Sequence, residues 1–235
     1  MADKAYLEPP NIVKMCAAAE NLRDLLLATL LFHLGCRISE ALAIGVGDVD
    51  LMNRTVTIRH LKSRIKLKCP RCQAALSLKA LFCPGCGDKV DQAVQELKEH
   101  RKQRVLPIDE NLAQLLSDFI LQGGPVIKNG RQVLFGINRH RAWQIIKTIG
   151  ERAGLPRIIN TETGKVHFIS PHKLRDAFAV HAVKHNDTGD GLRMLQEHLG
   201  HQSFNTTAKY RKVAGEEHRR WYNDLWNDNE LTSET

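Results

Sequence analysis

The sequence predicts an α+β fold that is mainly helical with one small sheet, and three observations lead to this prediction. Hydrophobic residues make up 43% of the 235 residues, enough to build one or two packed domains. Apolar residues recur at helical spacing along most of the chain, as they do at Leu112, Leu115, Leu116 and Phe119. Only residues 55–58 and 104–108 have the character of strands, and Pro107 indicates that the second strand lies at an edge or is ending.

Residues typical of helix starts and ends delimit the predicted helices. In order, we expect helices over residues 9–19, 22–34 (ended by Gly35) and 38–44, one from Asp109 to Gly123 and Gly124, one after Asn138, one from Ser170 and Pro171, and one ended by Gly200. The remainder is expected to be helical to about Asn227.

The charge is positive and concentrated in one segment. The chain has 34 Lys and Arg against 26 Asp and Glu, a net +8, and residues 60–104 alone hold 11 against 4, a net +7. Such clustering favours a polyanion such as DNA, because each neutralised phosphate releases condensed counterions. A solvated basic face or an acidic protein partner is the alternative. The longest apolar stretch, residues 25–34, is about half a membrane span, and no secretory signal opens the chain, so we expect a cytoplasmic, nucleoid-associated protein.

Four of the six cysteines form two C-x2-C pairs, separated by ten residues: Cys69, Cys72, Cys83 and Cys86. Tetrahedral zinc binds four thiolates, and each pair supplies two from one tight turn. One such pair could be a redox motif, but two at this distance predict a structural Zn²⁺ site. The segment could contact DNA or another protomer, or it could simply hold a long hairpin together. Cys16 and Cys36 are expected to be small buried residues.

Three separated segments carry residues suited to phosphodiester chemistry: residues 34–42 with Arg37, residues 170–179 with His172 and Arg175, and residues 199–210 with His201 and Tyr210. Arginine can hold two phosphate oxygens and stays charged at any working pH. His172 and Arg175 lie in the first turns of a predicted helix, where free N–H groups favour an anion. A tyrosine phenol needs such charges and a neighbouring base to act as a nucleophile.

These three segments resemble the boxes of the tyrosine recombinase (phage integrase) family, over nearly the whole chain. Gly35-Cys-Arg-Ile-Ser-Glu-Ala-Leu42 is similar to the family's first arginine box, His172-Lys-Leu-Arg175 to its H-x-x-R box, and Leu199-Gly-His201 with Tyr210 to its last histidine and nucleophile. The resemblance implies a tyrosine-recombinase-like catalytic domain with a small antiparallel sheet, formed by residues 1–63 and 101–235. Residues 64–100 would be an inserted zinc ribbon. Only about 36 residues precede Arg37, so no N-terminal core-binding domain is expected, and the sequence is either a fragment or a solo catalytic domain.

By the same resemblance, the protein is a site-specific DNA recombinase or integrase that works through a 3′-phosphotyrosine intermediate. Tyr210 would attack the scissile phosphate, Arg37 and Arg175 would neutralise the developing charge, His172 would act as a base, and His201 would donate to a phosphate oxygen. Lys62 fits the general acid best, with Lys66, Lys68 and Lys102 as rivals. Neither ATP nor a catalytic metal is expected. The partners would be double-stranded DNA and further copies of the chain, a tetramer in the synaptic complex, with a C-terminal aromatic segment exchanged between protomers.

The sequence departs from the family pattern at two places. Asp176 stands where the family often has a histidine after the second arginine, and residues 44–47 stand where an Arg or Lys and a Trp commonly follow the first box. Neither position carries the core chemistry of the family. Two alternatives are a type IB topoisomerase, which shares the phosphotyrosine chemistry, and a catalytically silent DNA-binding regulator on the same fold.

Overall fold

The chain folds into two compact units, one formed by Met1–Ile58 with Val105–Thr235 and the other by Arg59–Arg104. The computed structural model describes residues 6–59, 66–77, 80–90, 94–96, 103–159, 164–201 and 203–212. The helix predicted to reach Asn227 can therefore be followed only to Lys212, and residues 213–227 lie outside the described part. Among the described helices, none is long and apolar enough to cross a membrane.

Helices hold about half of the described residues, as the prediction of a mainly helical fold requires. They are α1 (Pro9–Ala17), α2 (Leu22–His33), α3 (Ile38–Ala41), α4 (Glu110–Leu121), α5 (Arg139–Arg152), α6 (Pro171–His185), α7 (Gly189–Leu199) and α8 (Phe204–Lys212). The predicted caps Asp109 and Asn138 are confirmed, because each side chain accepts a backbone N–H of the following turn. Ser170 precedes α6 but makes no such side-chain bond. The predicted Pro171 stands at the first position of the helix.

The strands are shorter and more numerous than predicted. In the described residues, β1 (Val49–Asp50), β2 (Thr55–Arg59) and β6 (Gln103–Pro107) form one sheet, and the smaller unit contains β3 (Lys66–Lys68), β4 (Ala75–Leu76) and β5 (Val94–Glu96) in the order β4-β3-β5. Two further antiparallel pairs are β7 (Val126–Lys128) with β8 (Arg131–Val133) and β9 (Ile158–Ile159) with β10 (Val166–His167). The prediction of a single sheet is wrong, because strands of two or three residues carry no readable alternation.

The hydrophobic core of the larger unit is built around α2. Leu26, Leu27, Leu30 and Leu31 of this helix are fully buried, and α2 packs against α1, α4, α5 and α6. A second, smaller cluster joins α6 to α7 and α8, and its buried members are Ala179, Val183, Leu192, Leu195 and Leu199. Helix α6 contributes to both clusters, so the residues at its start are held between two packed groups of helices.

Two predicted helices end earlier than expected. Helix α1 ends at Ala17 rather than near Ala19, and α3 ends at Ala41 rather than at Ile44. A 3-10 turn over Val46–Asp48 follows α3, and the Asp48 carboxylate accepts the Gly45 N–H. Because this side-chain bond holds the backbone in a turn, α3 does not continue to Ile44.

Candidate active site

Arg175 is a buried charged residue of the candidate site in the larger unit, with 3% of its surface exposed. It lies in the second turn of α6, and its guanidinium donates to three acceptors. Nη1 bonds the Gly35 carbonyl at 2.6 Å, and Nη2 bonds the Leu199 carbonyl at 2.9 Å and His201 Nε2 at 2.9 Å. The side chain therefore ties together the three segments that the sequence singled out.

The close approach at Gly35 depends on the absence of a side chain. Gly35 has φ +52°, a conformation that only glycine adopts readily, and it follows the end of α2. A Cβ built at this position would lie 2.4 Å from Phe178 Cδ1 and 2.9 Å from Leu199 Cδ2. Glycine thus lets the first box reach the α6–α7 cluster and present its carbonyl to Arg175.

His201 follows directly on α7, which ends at Gly200 in the left-handed conformation. Because a guanidinium carries donors only, His201 Nε2 accepts from Arg175, and the neutral ring then has its proton on Nδ1. Nδ1 lies 2.9 Å from the hydroxyl of Thr207, a fully buried residue of α8, and therefore donates to it. Both ring nitrogens are engaged within the protein, which fixes the orientation of the imidazole.

Arg37 differs from Arg175 in being open to solvent. Its side chain is 47% exposed, and its Nη1 donates to Glu40 Oε1 at 2.9 Å. The other carboxylate oxygen of Glu40 accepts the Arg37 backbone N–H at 3.0 Å, and Glu40 itself is only 3% exposed. The buried carboxylate holds the arginine at the start of α3 and leaves much of the guanidinium available to a ligand.

Tyr210, on α8, is half-buried and lies beside His201, with the two rings nearly parallel and their centroids 6.3 Å apart. Its hydroxyl donates to Asp176 Oδ1 at 3.1 Å. Burial raises the pKa of Tyr210 well above the ordinary range and the Asp176 carboxylate raises it further, while Arg175 acts in the opposite direction. In this structure the phenol is therefore held in its protonated form.

His172 makes no hydrogen bond to Tyr210. Its side chain is 75% exposed, and its Nδ1 lies 3.9 Å from Asp176 Oδ1, the same oxygen that accepts the hydrogen bond of the Tyr210 hydroxyl. Lys173 approaches the other oxygen of Asp176, with Nζ 3.8 Å away. Asp176 therefore lies between the predicted base and the predicted nucleophile. The base role of His172 stays a prediction.

The structure brings Arg175, His201 and Tyr210 together, and links the first box to them through Gly35. Of the lysines considered as general acid, Lys62 and Lys102 lie outside the described residues, and Lys66 and Lys68 belong to β3 of the smaller unit. Three residues of the network were not predicted: Asp176, Thr207 and Glu40 as the partner of Arg37. The i, i+3 spacing of Arg37 and Glu40 could have indicated their ion pair. Asp176 and Thr207 join the network through contacts between α8 and the rest of the site, which the sequence does not indicate.

The four predicted zinc ligands meet in the smaller unit. The Sγ atoms of Cys69, Cys72, Cys83 and Cys86 all lie within 4.8 Å of one another, with 3.4 Å between Cys72 and Cys83 and 3.7 Å between Cys69 and Cys86. Sulfur atoms bound to tetrahedral zinc at about 2.3 Å are about 3.8 Å apart, whereas a disulfide needs about 2.05 Å. The four thiols thus fit a zinc ion.

The two C-x2-C turns have the same backbone hydrogen bonds. The N–H of the first cysteine bonds the carbonyl five residues on, from Cys69 to Ala74 and from Cys83 to Asp88. The carbonyl of the same cysteine accepts the N–H four residues on, from Gln73 and from Gly87, and both of these residues have positive φ. Two matching turns that direct four thiols inward are what a closed tetrahedral site requires.

Comparison with known proteins agrees with this architecture. The family model described as Phage integrase family matches residues 5–81 and 88–217. The match covers most of the chain, and the chain belongs to this family, the tyrosine recombinases.

Two curated relatives are tyrosine recombinases named XerD. The chain is 32% identical over 201 residues to XerD of Neisseria meningitidis serogroup B, covering 82% of this chain and 51% of the relative. It is 28% identical over 207 residues to XerD of Corynebacterium glutamicum, covering 85% and 51%. The chain therefore spans about half the length of the curated relatives that it matches.

Solved structures share the fold at lower identity. XerA recombinase matches with a TM-score of 0.63 and 19% identity, over 96% of this chain and 64% of that one. XerH recombinase in a post-cleavage complex with a palindromic difH substrate gives 0.61 and 19%, over 97% and 54%. The catalytic domain of bacteriophage HP1 integrase gives 0.51 and 20%, over 96% and 98%. The fold is that of a tyrosine recombinase catalytic domain.

Proposed function

We propose that the protein is a site-specific DNA recombinase or integrase that cleaves and rejoins DNA through a 3′-phosphotyrosine intermediate and exchanges strands between two duplexes. The observation that carries this proposal is the single network formed by Arg175, His201, Asp176 and Tyr210, in a chain of the phage integrase family. A protein that only binds DNA has no need of a tyrosine hydroxyl beside a buried arginine.

In the proposed reaction, Tyr210 attacks the scissile phosphate and becomes joined to the 3′ phosphate, which frees a 5′ hydroxyl. Arg37 and Arg175 neutralise the charge that develops on the phosphate oxygens, the electrostatic effect that usually contributes most. The half-exposed side chain of Arg37 supports a direct contact with the phosphate. The buried position of Arg175 supports its role as a fixed positive charge beside the phosphate. His201 donates to a phosphate oxygen when Nε2, which accepts from Arg175 in the present structure, carries a proton, while Nδ1 stays beside Thr207.

Proton transfer completes the chemistry. His172 is the predicted base on the side of Tyr210, and Lys62 is the proposed acid that protonates the leaving 5′ oxygen. Attack by a 5′ hydroxyl from another duplex reverses the step and joins the exchanged strands. Because the phosphotyrosine bond conserves the energy of the phosphodiester, no ATP is required. No catalytic metal is required, because Arg37 and Arg175 supply the positive charge at the phosphate.

The proposed partners are double-stranded DNA and further copies of the chain, assembled as a tetramer in the synaptic complex, in the cytoplasm at the nucleoid. The net +7 of residues 60–104 supports a polyanionic partner. XerH bound to difH and the Tn1549 integrase in complex with transposon right end DNA are DNA complexes of proteins with this fold.

We also propose that Cys69, Cys72, Cys83 and Cys86 bind a structural Zn²⁺ ion in a ribbon inserted at residues 64–100, between the parts of a catalytic domain formed by residues 1–63 and 101–235. When bound, the ion would hold the two C-x2-C turns together.

Covalent trapping tests the proposed function. The protein is incubated with a randomised pool of nicked suicide duplexes, and the products are separated on a denaturing gel beside Tyr210→Phe. A DNA-linked band that is lost in the variant is expected, and sequencing of the trapped DNA then identifies the site. A chain that binds duplexes from the pool but links to none of them would instead be a silent DNA-binding protein.

A further inference from the structure

Asp176 is the side chain in direct contact with the hydroxyl of the proposed nucleophile. Its Oδ1 accepts the Tyr210 O–H at 3.1 Å, and His172 Nδ1 lies 3.9 Å from that same oxygen. Its Oδ2 faces Lys173 Nζ at 3.8 Å. The tyrosine recombinase pattern often has a histidine at this position, so the carboxylate is a feature of this chain.

We propose that Asp176 takes the proton of Tyr210 when the tyrosine oxygen attacks the scissile phosphate, and that His172 acts through Asp176. This inference rests on the proposed function and deepens it by assigning the proton acceptor. His172 becomes a positioning residue, because its Nδ1 lies 3.9 Å from the carboxylate and it makes no hydrogen bond to the hydroxyl.

The geometry selects the carboxylate over the imidazole. A general base must lie within about 2.6–3.2 Å of the atom whose proton it takes. Asp176 Oδ1 meets this condition, because the Tyr210 hydroxyl donates to it at 3.1 Å. His172 makes no hydrogen bond to that hydroxyl; it is 75% exposed, and its Nδ1 lies 3.9 Å from Asp176 Oδ1. Helix α6 fixes the carboxylate, because Arg175 and Ala177 on either side of it are buried.

The charges around the hydroxyl make such an acceptor necessary. Burial and the Asp176 carboxylate raise the pKa of Tyr210, so the phenol keeps its proton until the attack begins. The groups that face this pair are His172, Lys173 and Arg175 from α6, and His201, whose ring lies along that of Tyr210. Of the described side chains, Asp176 is the one that accepts a hydrogen bond from the Tyr210 hydroxyl.

The step balances without a further reactant. The bond from Tyr210 Oη to phosphorus forms, the bond from phosphorus to the 5′ oxygen breaks, and the Oη proton moves to Asp176 Oδ1. The leaving 5′ oxygen takes its proton from the general acid, for which Lys62 is proposed. In the reverse step the 5′ hydroxyl attacks and gives its proton to the deprotonated general acid, for which Lys62 is proposed, while the phosphotyrosine bond breaks and Asp176 returns its proton to Oη.

The test compares Asp176→Asn and Asp176→His with the wild-type protein, in single-turnover linkage to a duplex recovered by the trapping experiment. Asparagine keeps an oxygen that can accept the hydrogen bond but cannot take the proton, so linkage is expected to slow by about 10²- to 10³-fold with DNA binding unchanged. Histidine can take the proton, so it is expected to recover at least about tenfold of that loss. As the pH is lowered, the linkage rate of Asp176→His should begin to fall at a pH nearer neutral than the rate of the wild-type protein does. The reason is that histidine ordinarily titrates near about 6.5 and aspartic acid near about 3.9.

Asp118→Asn is the matched control. Asp118 lies on α4 and accepts a side-chain hydrogen bond from Gln114, so the same chemical change is made at a helix away from the site. It should react at the wild-type rate. Linkage by Asp176→Asn at the wild-type rate or faster would overturn the inference, since the carboxylate would then only restrain the hydroxyl. Equal losses of DNA binding and linkage would also overturn it. A wild-type protein that links to no duplex would instead overturn the proposed function.

Discussion

Tyr210 carries the atom on which the proposed chemistry depends, and its surroundings make that hydroxyl a weaker acid than a free phenol. Burial contributes most to the raised pKa, and the Asp176 carboxylate adds to it. A scissile phosphate would displace water and add negative charge beside Arg175, so that the guanidinium becomes more important once DNA is bound. The site thus keeps the proposed nucleophile protonated until the scissile phosphate is in place.

This raised pKa predicts how stability depends on pH. The folded protein holds the Tyr210 proton more tightly than the unfolded chain, where tyrosine titrates near about 10. The resulting stabilisation is fully present below that value and is lost as pH rises above it. Between about pH 9 and about pH 11, the wild-type free energy of unfolding should therefore fall more steeply than that of Tyr210→Phe. Urea unfolding of both proteins measures this, and equal slopes would contradict it.

The residues of the site differ in how far the sequence alone could predict them. Arg37, His172, Arg175, His201 and Tyr210 stand in short segments with recognisable helix starts and glycine stops, so their pattern was readable. The contact of Asp176 with Tyr210 was not, because it joins residues 34 positions apart through the packing of α8 on α6. Sequence periodicity reports which face of a helix is buried and not which helix covers it.

At the scale of elements, the turn between α2 and α3 positions the first arginine box against α6 and α7. Gly35→Ala should destabilise the protein by well over the roughly 1–2 kcal/mol that positive φ costs an alanine, because the new Cβ would also overlap Phe178 and Leu199. Gly123→Ala is the matched control, since Gly123 has φ +73° and no atom within 4 Å of the added Cβ. Urea unfolding of the two variants isolates the packing contribution, and equal losses would refute it.

Elements were predicted well where they are long and capped. Helix α4 begins after Asp109 and α5 after Asn138, as their cap residues indicated. Strands β7 to β10, of two or three residues each, were missed because their pairing depends on neighbours and not on an internal pattern. The single-turn helix α3 was overextended because Leu42 and Ile44 continue an apolar pattern that the following turn interrupts.

For the whole molecule, the division into two compact units predicts that they respond separately to metal removal. Chelation of the proposed zinc should unfold residues 64–100 and leave the helical unit folded, because structural zinc binding supplies folding energy locally. Hydrogen exchange before and after chelation measures the two regions in one experiment. Cys72→Ser should reproduce the effect and Cys16→Ser should not, since Cys16 lies in α1 of the other unit. Melting of the whole protein after chelation would contradict this prediction.

Assembly on DNA is the property that a single chain cannot supply by itself. The resemblance to tyrosine recombinases implies that the segment with Trp221, Tyr222, Leu225 and Trp226 passes to a neighbouring protomer. Removal of residues 216–235 leaves Tyr210 and the described site in the chain, so the truncated protein should still bind its duplex but should form smaller complexes. Light scattering of both proteins on the trapped DNA measures the difference. Complexes of unchanged stoichiometry would mean that the segment folds back onto its own chain, and that strand exchange between duplexes depends on another contact between protomers.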